Sequence, residues 1–161
     1  MARTTFSGPL ASANGSIHNG RVSIGATGTI SAAALATTGY ITCTSAAATT
    51  ITLPIAVTAG VVQGLVPALN ASAGQKFTFI VDNRAGASVV TIAVGTGGTL
   101  SDAANTTAAS FGDVTLASGV RGMAQFTLMF TGGLTAPTAA NPQPNQALPG
   151  TATGYTLTRT A

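Results

Sequence analysis

Gly122-Met123-Ala124-Gln125-Phe126-Thr127-Leu128-Met129-Phe130 alternates without a break. Ala124, Phe126, Leu128 and Phe130 fall on one face, and Met123, Gln125, Thr127 and Met129 on the other. Successive strand side chains point to opposite sides, so this stretch predicts a β-strand with a greasy inner face and a more polar outer one. The same pattern recurs upstream. In Lys76-Phe77-Thr78-Phe79-Ile80-Val81-Asp82, the residues Phe77, Phe79 and Val81 share a side, and Ile80 on the other suggests cover on both faces. Asp82-Asn83-Arg84-Ala85-Gly86 then reads as a turn, because Asp, Asn and Gly tolerate the dihedrals a turn requires. Residues 88–94 place Val90, Ile92 and Val94 together, and shorter alternations surround Ile51 and Leu53, Val114 and Leu116, and Tyr155 and Leu157. Tyr40-Ile41-Thr42-Cys43-Thr44 adds another strand.

Helix signals are scarce: charged helix formers are almost missing and Gly is spread throughout. The expected fold class is therefore all-β, a jelly-roll-like β-sandwich with an extended N-terminal arm and long loops. No repeat of 20–50 residues is visible and the strand spacing is uneven, which argues against a solenoid. Residues 1–20, with Asn14-Gly15 and Asn19-Gly20, are expected to form the arm, and residues 21–161 the sandwich. Two long connections stand out within it: residues 54–75, and a Pro-rich loop over residues 134–150 carrying Pro137, Pro142, Pro144 and Pro149.

Composition narrows the function. Ala, Thr, Gly and Ser supply 90 of 161 residues, while charged residues make up 6%. A domain so poor in charge has a weakly solvated surface, and cover by partners is the direct remedy. The net charge is +3, but the cations are scattered singly rather than gathered into the patch or stripe that nucleic acid requires. No run of apolar residues is long enough to span a membrane. Met1-Ala2-Arg3-Thr4-Thr5 lacks the apolar core of a secretory signal, so synthesis in a host cytoplasm is expected.

Chemistry-bearing residues are equally sparse. His18 is the single histidine, with no acid near it in sequence to orient it as a base. Three Asp and no Glu make a poor source for a paired-carboxylate site, and one Cys with one His cannot build a zinc centre. Asp82 and Asp102 are read as turn residues before calcium ligands. Gly95-Thr96-Gly97-Gly98-Thr99 lacks the Lys and following helix of a phosphate loop. Cys43, alone, is expected to be a buried apolar side chain. No enzymatic activity and no cofactor are expected.

The order of these segments resembles the small β-domains of tailed-bacteriophage structural proteins. The resemblance is carried by Thr50-Ile51-Thr52-Leu53-Pro54, Phe77-Thr78-Phe79-Ile80, residues 90–98, Val114-Thr115-Leu116-Ala117-Ser118-Gly119, and the strand at 122–130. The opening Arg3-Thr4-Thr5-Phe6-Ser7-Gly8-Pro9 is similar to the start of small capsid-accessory proteins. The resemblance implies a capsid decoration (cement) protein on the virion surface, a homotrimer that binds the major capsid protein. A phage tail or head-fibre component is the alternative. A carbohydrate-binding module is disfavoured by the absence of Trp, and an ice-binding protein by the lack of a regular Thr-x-Thr period. Residues 54–75 depart from the short hairpin such domains would place there. With six Val and Leu residues and no charge before Lys76, this segment is the expected assembly contact. The candidate interface residues are Val61, Val62, Leu65, Val66 and Leu69, with Arg3 and Phe6 in the arm.

Overall fold

The computed structural model describes residues 20–101, 114–132, 134–135 and 148–160. The chain is mostly strand and is arranged in two mixed sheets. Its first half alternates between them. β1 (Val22–Ile24), β3 (Tyr40–Cys43) and β5 (Lys76–Asp82) lie side by side and parallel in the larger sheet. β2 (Gly28–Thr29), β4 (Thr49–Thr52) and β6 (Val90–Ala93) do the same in the smaller one. Three rungs therefore stack in register, Val22 on Ile41 on Val81 in one sheet and Gly28 on Ile51 on Ile92 in the other.

The second half closes this stack with reversed strands. β7 (Gly98–Leu100) is an edge of the larger sheet and β8 (Thr115–Leu116) an edge of the smaller. β9 (Met123–Thr131) runs antiparallel to β5, and β8 runs antiparallel to β6. β10 (Leu134–Thr135) and β11 (Leu148–Pro149) form a separate antiparallel pair. β12 (Gly154–Arg159) lies between β9 and β7. The larger sheet thus reads β1-β3-β5-β9-β12-β7 and the smaller β2-β4-β6-β8.

This arrangement corrects two expectations. A jelly roll pairs its strands antiparallel, whereas five of the nine strand pairings among the described residues are parallel. The stacked first half is also solenoid-like, contrary to the reading from spacing. Val22 to Ile41 is 19 residues and Ile41 to Val81 is 40, because the two return segments differ in length. Unequal returns hide the repeat in the sequence while leaving its geometry intact. Alternation reports which face of a strand is covered, not the direction of its neighbour.

Two short helices lie on those returns, where none was expected. α1 (Ala32–Thr38) begins at Ser31, whose hydroxyl accepts from the Ala34 N–H at 3.2 Å. It ends at Gly39 in the left-handed region, φ 60°. A Ser before an Ala-rich run and a Gly just after it are the start and stop signals of a helix, so this element was legible. α2 (Leu65–Leu69) carries no such cap; its Gly64 makes no side-chain hydrogen bond.

One apolar cluster joins everything. Phe79, Val81, Phe126, Leu128, Tyr155 and Leu157 contribute from the larger sheet, Ile51, Val90, Ile92 and Leu116 from the smaller, and Leu35, Leu65 and Val66 from the helices. The alternation in β9 holds throughout: its Ala124, Phe126, Leu128 and Phe130 are buried. At the end of β5, buried Asn83 donates from Nδ2 to the carbonyls of Ser88, Leu116 and Ala117, binding the turn to β8. Gly86 is required beside it, since a Cβ there would meet Asn83 Oδ1 at 2.1 Å.

Tyr155 performs a similar role at the other end. Its ring is fully buried, its hydroxyl donates to the Pro54 carbonyl at 2.8 Å, and that oxygen accepts from the Gly95 N–H at 3.0 Å. One side chain thus ties β12 to the segments following β4 and β6. Tyr155→Phe strands both backbone groups out of water, so stability should fall by about 1–3 kcal/mol, the penalty for an unsatisfied buried group. Equilibrium denaturation checks this; an unchanged midpoint would mean that water reaches Pro54 and Gly95.

Candidate assembly surface

Residues 54–75 do not behave as one unit. Backbone hydrogen bonds pinch the segment at its base: Leu65 donates to Ile55 at 2.8 Å and Val66 to Ala56 at 2.9 Å. Gly64 permits this close approach, because a Cβ there would sit 2.3 Å from the Val57 carbonyl carbon. Above the pinch, Ala59 and Val62 exchange backbone hydrogen bonds of 3.1 and 3.0 Å around Gly60, which has φ 59°. The result is a braced knuckle. Its valines face solvent, Val61 at 102%, Val62 at 56% and Val57 at 47% relative exposure.

Below the pinch the direction reverses. Leu65 is 0% exposed and Val66 4%, both within the domain's own core. Leu69 is half-buried and lines a recess of about 290 Å³ with Ala71, Gln75, Lys76, Phe77 and Phe130. Of the candidate interface residues, the structure brings Val61 and Val62 together on the surface and assigns Leu65 and Val66 to intramolecular packing. That is a correction. The physical cause is α2, which turns two of its side chains inward where an irregular loop would have left them exposed. Arg3 and Phe6 lie outside the described residues.

Sequence reasoning missed a second exposed region. Val120 is 96% and Val89 37% exposed. Val89 also borders a groove of about 530 Å³ lined by Thr115, Ala117, Ser118, Arg121 and Arg159. Arg159 donates to the Thr115 carbonyl at 3.3 Å across it. A single Val after Gly119 carries no periodic signal, so nothing in the sequence marked it.

The comparisons place no known protein beside these features. The chain matches no protein-family model, no curated protein and no solved structure. The reading of the surface therefore rests on its own chemistry.

That chemistry is nearly spent on structure. Asp82 accepts from the Arg84 backbone N–H and Nε at 3.0 and 2.9 Å, from its Nη2 at 2.7 Å, and from the Tyr40 hydroxyl at 2.7 Å. The Arg84 guanidinium holds the Asp82 carboxyl well below the usual carboxylate range, with desolvation opposing it and Tyr40 assisting. The hydrogen bond to Asp82 raises the Tyr40 phenol in turn. This is a turn residue engaged with its own backbone and neighbours, as expected of Asp82; Asp102 lies outside the described residues. Burial pushes the Cys43 thiol up to about 11, leaving it protonated and shielded. Among the described residues, no three of His, Cys, Asp or Glu converge on one point. Among the same residues, no helix is long and apolar enough to cross a membrane.

The outer face of the larger sheet carries hydroxyls in cross-strand pairs. Thr78 meets Thr127 at 3.3 Å, Thr127 meets Thr160 at 3.4 Å, and Thr99 meets Thr156 at 3.1 Å. Met123 and Met129 interrupt them, 46% and 45% exposed. Paired hydroxyls keep a charge-poor sheet face wetted, which explains how the fold presents so much surface with so few ions.

Proposed function

We propose that the protein is a structural component of a bacteriophage capsid surface, a decoration or cement protein that binds the major capsid protein and associates with itself as a homotrimer. The observation that carries this reading is the valine knuckle at Val57, Val61 and Val62. Its base is fixed by backbone hydrogen bonds, so the tip cannot fold back to hide its side chains without breaking them. Burying a fully exposed Val gains about 1.5–3 kcal/mol. A rigid apolar tip in a chain with 6% charged residues is suited to a complementary pocket on a partner. The resemblance to phage structural β-domains supplies the identity of that partner.

The test is co-sedimentation with empty capsid shells of the phage encoding the chain, prepared without it. Binding should saturate near one chain per major capsid subunit. Charging the knuckle with Val61→Asp should weaken it about tenfold or more, the loss of one well-buried apolar contact. Failure of the intact protein to sediment with shells would sink the proposal. Equal binding by the variant would move the contact elsewhere on the domain.

A further inference from the structure

Two guanidinium groups meet at the groove beside Val89, and its walls come from both sheets. Arg159 ends β12 in the larger sheet, and Thr115 lies on β8, the edge of the smaller. The Val114 carbonyl accepts from the Ile92 N–H at 2.8 Å, so it faces β6. Backbone groups of successive strand residues point to opposite edges, and the Thr115 carbonyl therefore faces outward. Half-buried Arg159 donates to that carbonyl through Nη1 at 3.3 Å. The bond occupies one of five N–H donors and fixes the guanidinium at the wall of the groove. Arg121 stands exposed on the same groove, at the end of a single 3-10 turn, Gly119–Arg121.

Neither arginine has an anionic partner among the described residues. Asp82 is the one carboxylate side chain there, and Arg84 and Tyr40 already engage it. A guanidinium cannot shed its proton in a protein, so both charges remain. The other walls are mixed: Val89 and Ala117 present apolar surface, Thr115 and Ser118 carry hydroxyls. The volume, about 530 Å³, falls within the range of about 300–1,000 Å³ usual for ligand clefts. An inorganic anion alone would leave most of it empty. No aromatic side chain lines the groove to stack a base, and two cations make no basic stripe, so nucleic acid is a poor occupant.

We propose that this groove binds a carboxylate carried on a peptide segment of a partner protein, with Arg121 and Arg159 as its receptors. The planar fork of an Arg matches the two oxygens of a carboxylate. Arg159 is held in place by the Thr115 carbonyl before the ligand arrives, which lowers the ordering cost of binding. Val89 and Ala117 take the apolar side chains flanking the acid, a contact that a free anion does not make. Charge complementarity thus selects an acidic residue, and the apolar walls select one embedded in a peptide. The groove shares no residue with the valine knuckle, and the inference does not depend on the identity of the capsid partner.

Calorimetry on the full chain tests this with a blocked peptide carrying one glutamate between two valines. It should bind about tenfold or more tightly than the same peptide with glutamine in place of glutamate, the difference one charge-assisted hydrogen-bonded pair makes. Arg121→Gln, at an exposed position, should remove that preference while leaving the thermal melt unchanged. Equal binding of the two peptides, or of neither, would overturn the proposal. An undiminished preference in Arg121→Gln would overturn it as well, by placing the acid elsewhere. Inorganic phosphate is the second probe: displacement of the peptide by phosphate at equal concentration would assign the groove to a free oxyanion instead. Amide resonances supply a readout without substitution. Those of Ala117 and Ser118 should shift with the glutamate peptide and stay in place with the glutamine peptide, and the same shifts with both would overturn the role of charge.

Discussion

Phe126→Ala should lower the stability of the domain by about 3–5 kcal/mol, the range for truncating a buried aromatic side chain. Phe126 is 0% exposed at the centre of β9, where it pairs with Phe79 of β5 on one side and Arg159 of β12 on the other. It lies opposite Phe79 on β5, and the two rings stack with centroids 5.6 Å apart and planes 19° from parallel. Removing the ring takes away apolar burial and leaves a cavity between two sheets that are hydrogen-bonded in place and cannot collapse to fill it. A domain of this size has about 5–15 kcal/mol in total, so the change consumes a large share. Chemical denaturation measures it. Met129→Ala, on the outer face of the same strand, provides the contrast, with an expected change within about 0.5 kcal/mol. If both variants lose the same amount, the two faces of β9 are wrongly assigned.

That contrast shows what alternation could reveal. Phe126 and Met129 were separated onto their proper faces by period two alone, and so were Phe79 and Thr78. Period two depends only on the pleat, which each strand carries with it. The partner of a strand depends on the path between strands, and there the signal fails. Ile41 and Val81 are parallel neighbours across a return of 40 residues. Nothing in either strand distinguishes that from an antiparallel hairpin. α1 was within reach, because Ser31 and Gly39 bracket an Ala-rich run, but scarcity of charged helix formers obscured it. α2 was not: five residues with Pro67 among them and no side-chain cap give no periodic signal.

The candidate site divides along the same line. Composition correctly singled out residues 54–75 as uncharged and apolar, but composition cannot say which valine faces inward. That is decided by the pinch between Ile55-Ala56 and Leu65-Val66, a set of backbone hydrogen bonds permitted by Gly64. The groove beside Arg121 and Arg159 depends on three separate segments meeting, and only the folded chain brings them together.

Leu65→Asp and Val61→Asp should consequently differ sharply in their effect on stability, although only four positions separate them in one apolar segment. At Leu65 the new carboxylate would enter the core beside Val66, with no cation among the residues of that cluster to pair with it. An unpaired buried charge is among the few single changes that cost more than about 4–5 kcal/mol. The variant should be largely unfolded at 37 °C or melt far below the parent. At Val61 the side chain already stands fully in water, so the same carboxylate stays hydrated and shifts stability by no more than about 0.5 kcal/mol. Its effect should fall on the proposed association, where a charge would have to be stripped of water to enter an apolar pocket. Thermal melts of the two variants beside the parent separate the roles before any partner is added. A parent-like melt for Leu65→Asp would show that α2 does not pack on the core. A lowered melt for Val61→Asp would show that the knuckle rests on its own domain, and its valines would then be unavailable to the proposed partner.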